Sequence, residues 1–150
     1  MKYYTFTIEG NQKDPQGNPI PYKRTLAGKF RKDSIDYMEW KEFVRSEFDR
    51  KGVPRPVSST KSFPYPELCD QHEVAVLTLN IGWRDRKGGD CDNIFKGIAD
   101  ALFENDKCIV EGHFYSRYTE EKAGNVVVGI EIYTAEEYKK KNGAKLEGVS

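Results

Sequence analysis

The stretch Val74-Ala75-Val76-Leu77-Thr78-Leu79-Asn80-Ile81-Gly82-Trp83 decides the fold. Val74, Val76, Thr78 and Asn80 alternate with Ala75, Leu77, Leu79 and Ile81, and part of the run is apolar on both faces. That pattern belongs to a strand in the middle of a sheet, covered on both sides. Upstream, residues 2–9 alternate with Tyr4, Phe6 and Ile8 on one face, as a half-buried strand does. Downstream, Cys108 to Tyr118 and Gly124 to Tyr133 read as two further strands joined by a turn at Thr119 to Ala123. Val126, Val128, Ile130 and Ile132 alternate cleanly.

Helices fill the gaps between the strands. Asp33 or Ser34 can cap one running to about Arg50, where Gly52 and Pro54 end it. Asp90 or Asp92 can cap a second through about Phe103, with Ile94, Phe95, Ile98, Ala101 and Leu102 as its buried stripe. Thr134-Ala135-Glu136-Glu137 fits a capping box opening a short C-terminal helix, and the tail 142–150 is expected to fray. Asn11 to Pro21 and Arg84 to Gly89 read as loops. The stretch 53–68, broken by Pro54, Pro56, Pro64 and Pro66, reads as an irregular connection. The order strand, helix, strand, helix, strand, strand, helix predicts an α+β fold. Its mixed four-stranded sheet carries helices mainly on one face, in one domain over 1–150.

At 150 residues the chain is long enough for one well-buried core. Its formal net charge is zero, so the whole molecule exerts no general pull on nucleic acid. Charge is unevenly distributed, however. Lys23, Arg24, Lys29, Arg31 and Lys32 crowd a stretch with no acid among them. Three unpatterned cysteines, Cys69, Cys91 and Cys108, do not form a disulfide framework, so a reduced, cytoplasmic setting is expected. The first residues lack the apolar core of a signal peptide, and no run is long enough to span a membrane, so no membrane partner is expected.

The chemistry concentrates in Gly89-Asp90-Cys91-Asp92-Asn93-Ile94-Phe95-Lys96. Asp90 and Asp92 sit at a loop-to-helix junction that can aim two carboxylates at one point. Asn93 can orient a ligand or a loop by hydrogen bonding. Lys96 shares the helix face of Asp92, and Asp100 extends that face by a turn. Asp106 follows the helix. Oxygen donors of this kind suit Mg²⁺, with Mn²⁺ as a substitute, held against a phosphate. The chemistry that results is phosphodiester hydrolysis, with the Lys96 ammonium stabilising negative charge at phosphorus. Competing readings exist. Asp92 and Lys96 also make an ordinary surface helix pair, and Asp90 an ordinary cap. A calcium loop fails because Phe95 stands where that loop needs glycine. Cys69, His72, Cys108 and His113 match no standard zinc spacing.

On these residues the chain resembles the RusA family of Holliday junction resolvases. The resemblance rests on Asp90-Cys91-Asp92-Asn93-Ile94-Phe95-Lys96, then Asp100-Ala101-Leu102, then Asn105-Asp106. Ile8-Glu9-Gly10, followed by the loop Pro19-Ile20-Pro21-Tyr22-Lys23-Arg24, adds to it. The resemblance implies that Asp90, Asp92 and Asp106 bind Mg²⁺ and that Lys96 takes part in catalysis. It implies a homodimer that resolves four-way DNA junctions by paired symmetric nicks, leaving 5′-phosphates, in a bacterial or mobile-element setting. It gives Lys23, Arg24, Lys29, Arg31 and Lys32 a role on DNA phosphates, with Arg84, Arg86, Lys87 and Arg117 on the same face. The chain departs from the family's pattern at Asn105, where an acid is usual, and in a shorter run from Leu102 to Asp106. Glu104 is then the alternative third carboxylate. Related readings are a nuclease for flaps or other branched DNA, and a DNA-binding dimer without catalysis.

Overall fold

The computed structural model describes residues 1–22, 31–51, 68–85, 89–103, 106–118 and 123–147. Seven elements follow in order: β1 (Lys2–Glu9), α1 (Arg31–Arg50), β2 (Glu73–Trp83), α2 (Cys91–Leu102), β3 (Ile109–Tyr118), β4 (Asn125–Thr134) and α3 (Ala135–Glu147). A short 3₁₀ turn, Asp106–Cys108, leads into β3. The strands form one sheet in the order β1-β4-β2-β3. β2 and β3 are parallel, while β4 is antiparallel to both β1 and β2. This is the expected α+β architecture with a mixed four-stranded sheet.

The expected central strand is interior, with β4 on one side and β3 on the other. Ala75, Leu77, Leu79, Ile81 and Trp83 are buried on its helix-covered face. Phe6 and Ile8 of β1 and Val126, Val128, Ile130 and Ile132 of β4 extend that layer. α1 contributes Tyr37, Trp40, Val44 and Phe48, and α2 contributes Ile94, Ile98, Ala101 and Leu102. The rings of Phe6 and Phe48 meet edge to face at 5.1 Å between centroids.

The turn expected between the last two strands is not a hairpin between neighbours. β3 and β4 are consecutive in sequence but lie on opposite sides of β2. The reason is burial. β4 presents an unbroken stripe of four buried aliphatic side chains and gains most from partners on both edges. β3 holds Glu111, His113 and Arg117, which an edge position leaves in water.

Two boundaries also differ from the sequence reading. α1 starts at Arg31, so Arg31 and Lys32 open the helix ahead of the expected caps Asp33 and Ser34. The proline-broken connection lies mostly outside the described residues, and Leu68 at its end is buried in the core. α3 runs on through Asn142 and Gly143 to Glu147, beyond the point where fraying was expected. Its capping box forms as read. Glu137 N–H donates to Thr134 Oγ1 at 3.1 Å, and Thr134 N–H donates to Glu137 Oε1 at 3.0 Å. The bond from the Thr134 backbone, then the N-terminal ammonium, hold the Glu137 carboxyl down to about 2.

α1 and α2 cover one face of the sheet. α3 rests at one end of the other face, where Tyr138 packs on Tyr133 and donates to Glu111 Oε2 at 3.1 Å. The rest of that face, with Tyr3, Thr5, Thr78, Asn80 and Val127, is not covered by any described helix. Among the described residues, no helix is long and apolar enough to cross a membrane.

Leu79 is fully buried at the centre of the sheet. Leu79→Ala is expected to lower stability by about 2–5 kcal/mol. Urea denaturation should show this as a lower midpoint with an unchanged slope.

Candidate functional site

β1 and β2 run parallel with β4 between them. The chain therefore leaves both strands at the same end of the sheet, and α1 and α2 each run back from there. Open α/β sheets bind ligands in the crevice at such strand ends. Here the loops after β1 and β2 are stitched together. Gly10, at φ 61°, turns the chain out of β1, and its N–H donates to Gly124 O at 2.9 Å. Asn18 Oδ1 accepts from Arg84 N–H at 2.7 Å, and Asn18 Nδ2 donates to Asp85 Oδ1 at 3.0 Å. Arg84 reaches Asp14 at 2.8 Å.

The loop then lies along α2. Tyr22 N–H donates to Asn93 O at 3.0 Å. Pro21 packs so close to Gly89 that a Cβ there would come within 2.8 Å of the proline ring. Gly97, buried on α2, admits Tyr37 and Tyr22, whose rings meet edge to face at 5.2 Å. A Cβ at Gly97 would sit 3.3 Å from the Tyr37 ring. The expected role of Asn93 as a loop positioner thus falls to its backbone carbonyl.

At the start of α2, Asp90 takes the cap position, but its side chain makes no capping bond. Its backbone carbonyl accepts from Asn93 and Ile94 instead, each at 3.1 Å. An aspartate there ordinarily spends its carboxylate on the helix's first N–H groups. The Asp90 oxygens are therefore uncommitted. Asp92, in the first turn, is exposed. Among the described residues, neither carboxylate has a hydrogen-bond or ion-pair partner. One turn on, Lys96 does not pair with Asp92. Its Nζ lies over the Tyr22 ring at 4.1 Å, a cation–π contact that holds the ammonium beside the loop.

Asp100 is tied elsewhere. Its Oδ2 accepts from the Tyr37 hydroxyl at 2.9 Å. Burial, and then the Asp100 carboxylate, push the Tyr37 phenol well above its ordinary range. Lys41 lies over the Tyr37 ring at 4.9 Å, and burial followed by neighbouring Arg45 lowers its pKa. Arg45 Nε donates to Ala101 O at 2.7 Å. These bonds fasten α1 to α2, so Asp100 reads as a structural residue more than an extension of the acidic site. The sequence reading missed Tyr22 and Tyr37. The pairing of tyrosines with Gly97 on a helix otherwise rich in large residues was its available signal.

Asp106 does not join Asp90 and Asp92 within the chain. α2 has 12 residues and so spans about 18 Å. Asp90 precedes it and Asp106 follows it, which puts them at opposite ends. Glu104 and Asn105 lie outside the described residues, as do Lys23, Arg24, Lys29, Arg86 and Lys87. Among the described residues, no group of three or more His, Cys, Asp or Glu converges on a metal position. The remaining basic residues scatter. Arg84 pairs with Asp14 and Asp85, the latter at 3.4 Å. Arg117 donates to Asn80 and Asn125 on the face away from α2. Of the residues flanking this basic stretch, Tyr22 is bonded to Asn93 and Arg31 opens α1.

The donor set at the head of α2 suits a hard cation. Two carboxylates with uncommitted oxygens, completed by waters and a phosphate, match the way Mg²⁺ is commonly held.

The Tyr37 bond is testable by pH. Its raised phenol pKa means that the bond's stability is present below about pH 10, the unfolded tyrosine value, and is lost as pH rises toward the folded one. Chemical denaturation across alkaline pH should show the wild type losing stability more steeply above about pH 10 than Tyr37→Phe.

The chain matches no protein-family model, and no curated protein matches it in sequence.

Proposed function

We propose that the chain is a Mg²⁺-dependent, structure-selective DNA endonuclease that resolves four-way junctions by paired nicks. The observation that carries this reading is the uncommitted Asp90 carboxylate beside exposed Asp92, with Lys96 held one turn away. A helix start that forgoes its side-chain cap gives up about 1 kcal/mol, a cost that a ligand-binding role for Asp90 explains. The resemblance to the RusA family supports the same reading from the sequence side.

Asp90 and Asp92 would hold the ion; the resemblance also implies Asp106, which lies at the other end of α2 within this chain. Bound there, Mg²⁺ would supply positive charge against the negative charge that develops on the scissile phosphate. The remaining work falls to the chain. Tyr22 keeps the Lys96 ammonium at the mouth of the site, where it can meet a nonbridging or leaving oxygen. Water adds to phosphorus, the bond to the 3′ oxygen breaks, and that oxygen takes a proton. The products are a 5′-phosphate and a 3′-hydroxyl. The basic segment, which follows Tyr22 in sequence, would neutralise flanking phosphates. Two copies acting together would place matched nicks on a symmetric junction.

Incubation of the protein with labelled four-way junction, fork and linear duplex, in Mg²⁺ or EDTA, tests the reading. Symmetric junction nicks that disappear in EDTA are expected. Asp92→Asn should abolish nicking while junction binding persists; normal cutting by that variant would remove Asp92 from the site. Binding without cleavage by the wild type would leave a DNA-binding dimer.

Tyr22→Ala frees Lys96 without removing it. Nicking is expected to fall about 10-fold or more, since a misplaced cation loses transition-state contact. Lys96→Ala should lose about 10²–10³-fold. Equal losses in the two variants would mean that the tyrosine acts on more than lysine placement.

A further inference from the structure

In the middle of the sheet face opposite α1 and α2 there is a hollow. Gly129 of β4 is its floor, with Thr5 of β1 and Thr78 of β2 beside it in the same row. Tyr3 and Glu131, paired across β1 and β4, bound one end, and Val127 and Asn80, paired across β4 and β2, bound the other. The hollow holds about 190 Å³. Small-molecule pockets ordinarily measure about 300–1,000 Å³, so this one fits a single ring system and little more. A glycine inside a strand weakens it, and marks a bulge, a bend or the close approach of a ligand. Gly129 pairs in unbroken register with both neighbours, and Gly10 is the glycine with positive φ among the described residues. What Gly129 provides is space. A Cβ there would come within 3.2 Å of the Tyr3 hydroxyl, which reaches over the floor from β1.

The polar groups at the two ends are held in place. Glu131 Oε2 accepts from the Tyr133 hydroxyl at 2.9 Å and lies 3.7 Å from Lys141 Nζ, while Oε1 has no partner among the described residues. Asn80 Oδ1 accepts from Arg117 Nε at 2.9 Å, which fixes the amide and leaves the Nδ2 hydrogens to donate. Among the described residues no basic side chain lines the hollow, so a lone phosphate has little to hold it there. The flat floor of Gly129 and Val127, beside a tyrosine ring, suits a planar ring. The carboxylate suits a pair of N–H donors side by side, and the amide suits an acceptor beyond them. Guanine has this pattern: N1–H and the N2 amino group share one edge, with the O6 and N7 acceptors past it. Adenine and cytosine set a ring-nitrogen lone pair beside their amino group, which a carboxylate repels. Thymine has one N–H between two carbonyls. We propose that the hollow at Gly129 binds one unpaired guanine base against Tyr3, with Glu131 on its N1–H and N2 edge and Asn80 on its acceptors.

The edge that Glu131 takes is the edge that guanine uses in a base pair, so a duplex is refused and a single strand is admitted. Tyr115 favours a strand over a free nucleotide. It stands directly beside Asn80 on β3, on the same face, and is 59% exposed. Adjacent strands lie about 4.8 Å apart, so its ring is within reach of the base next to the bound one. Stacking of successive bases on aromatic side chains is how proteins commonly hold single strands. This site lies across the sheet from the head of α2, needs no metal, and stands whether or not the chain cuts DNA.

Titration of the isotopically labelled full chain, followed by nuclear magnetic resonance, tests this. The ligands are guanosine 5′-monophosphate and a five-nucleotide DNA strand with one central guanine among thymines. The backbone amides of Thr5, Thr78 and Gly129 and the side-chain amide of Asn80 should shift with both ligands, and at lower concentration with the strand. The same strand with adenine, cytosine or thymine at its centre should bind about 10-fold more weakly or worse, and its duplex should shift none of these signals. Glu131→Gln should cost guanine about 10-fold or more. Tyr3→Ala should cost about 10-fold, and Tyr115→Ala should weaken the strand while sparing the monophosphate. Binding should be the same in Mg²⁺ and in EDTA. Unmoved signals at Thr78 and Gly129 with both ligands overturn the site. Equal binding of the four strands, or a Glu131→Gln variant that binds as the wild type does, overturns guanine as its ligand. Binding of the monophosphate alone supports the base pocket and overturns the strand as its source. Loss of binding in EDTA would place the ligand at the head of α2 and overturn the proposal.

Discussion

The insertion of β4 between β1 and β2 is the constraint on which the rest depends. It bonds to one strand on each edge over nearly its whole length. Its buried stripe of Val126, Val128, Ile130 and Ile132 stands at the centre of the apolar layer under α1 and α2. Roughly 25 cal/mol per Å² of buried apolar surface makes such a stripe a large term. Any other position for β4 would leave part of it wet. With β4 in place, β1 and β2 point the same way with a gap of one strand between them. Their outgoing loops then meet, and Asn18 and Asp14 join them to Arg84 and Asp85.

That meeting sets up the head of α2. The helix could be capped by Asp90 in the ordinary way, and it is not. It could fill its groove against α1 with a large side chain, yet Gly97 stands there and the rings of Tyr22 and Tyr37 fill the space. Glycine inside a helix costs about 1 kcal/mol relative to alanine. Both choices trade local helix stability for geometry. One leaves a carboxylate uncommitted, and the other brings a loop tyrosine over Lys96. Local rules broken together at one place are the mark of a functional site rather than of poor folding.

The elements themselves were legible because their periods are strong. The double-sided run at 74–83 announced an interior strand, and the alternation at 126–132 announced another. The capping box at Thr134 and Glu137 formed as its spacing indicated. Neighbour relations were not legible, since adjacency in sequence favours a hairpin. Only the relative burial of β3 and β4 decides against it. The start of α1 was misplaced because Asp33 and Ser34 are good caps, while α1 begins at Arg31. At the site, the sequence singled out Asp90, Asp92 and Lys96, which do share one region. It could not show that Asp100 belongs to Tyr37, nor that Asp106 lies a helix length away, because both depend on how α2 is oriented.

In a chain of zero net charge, ion pairs occupy several of the described basic side chains. Arg84, Arg50 and Lys13 are paired with Asp14, Glu47 and Asp36. These pairs are exposed and contribute little stability each. Their effect is to neutralise these basic side chains locally. The five cations between Tyr22 and Lys32 have no acid among them in sequence, and their segment departs from the very loop that touches Asn93. With zero net charge, attraction of an anion at long range is weak. Screening by salt over about 8 Å under physiological conditions shortens that reach further. On the proposed nuclease reading, a local stretch of cations in a neutral chain would favour a substrate presenting several phosphates to one point, as branched DNA does, over one offering a uniform rod of charge.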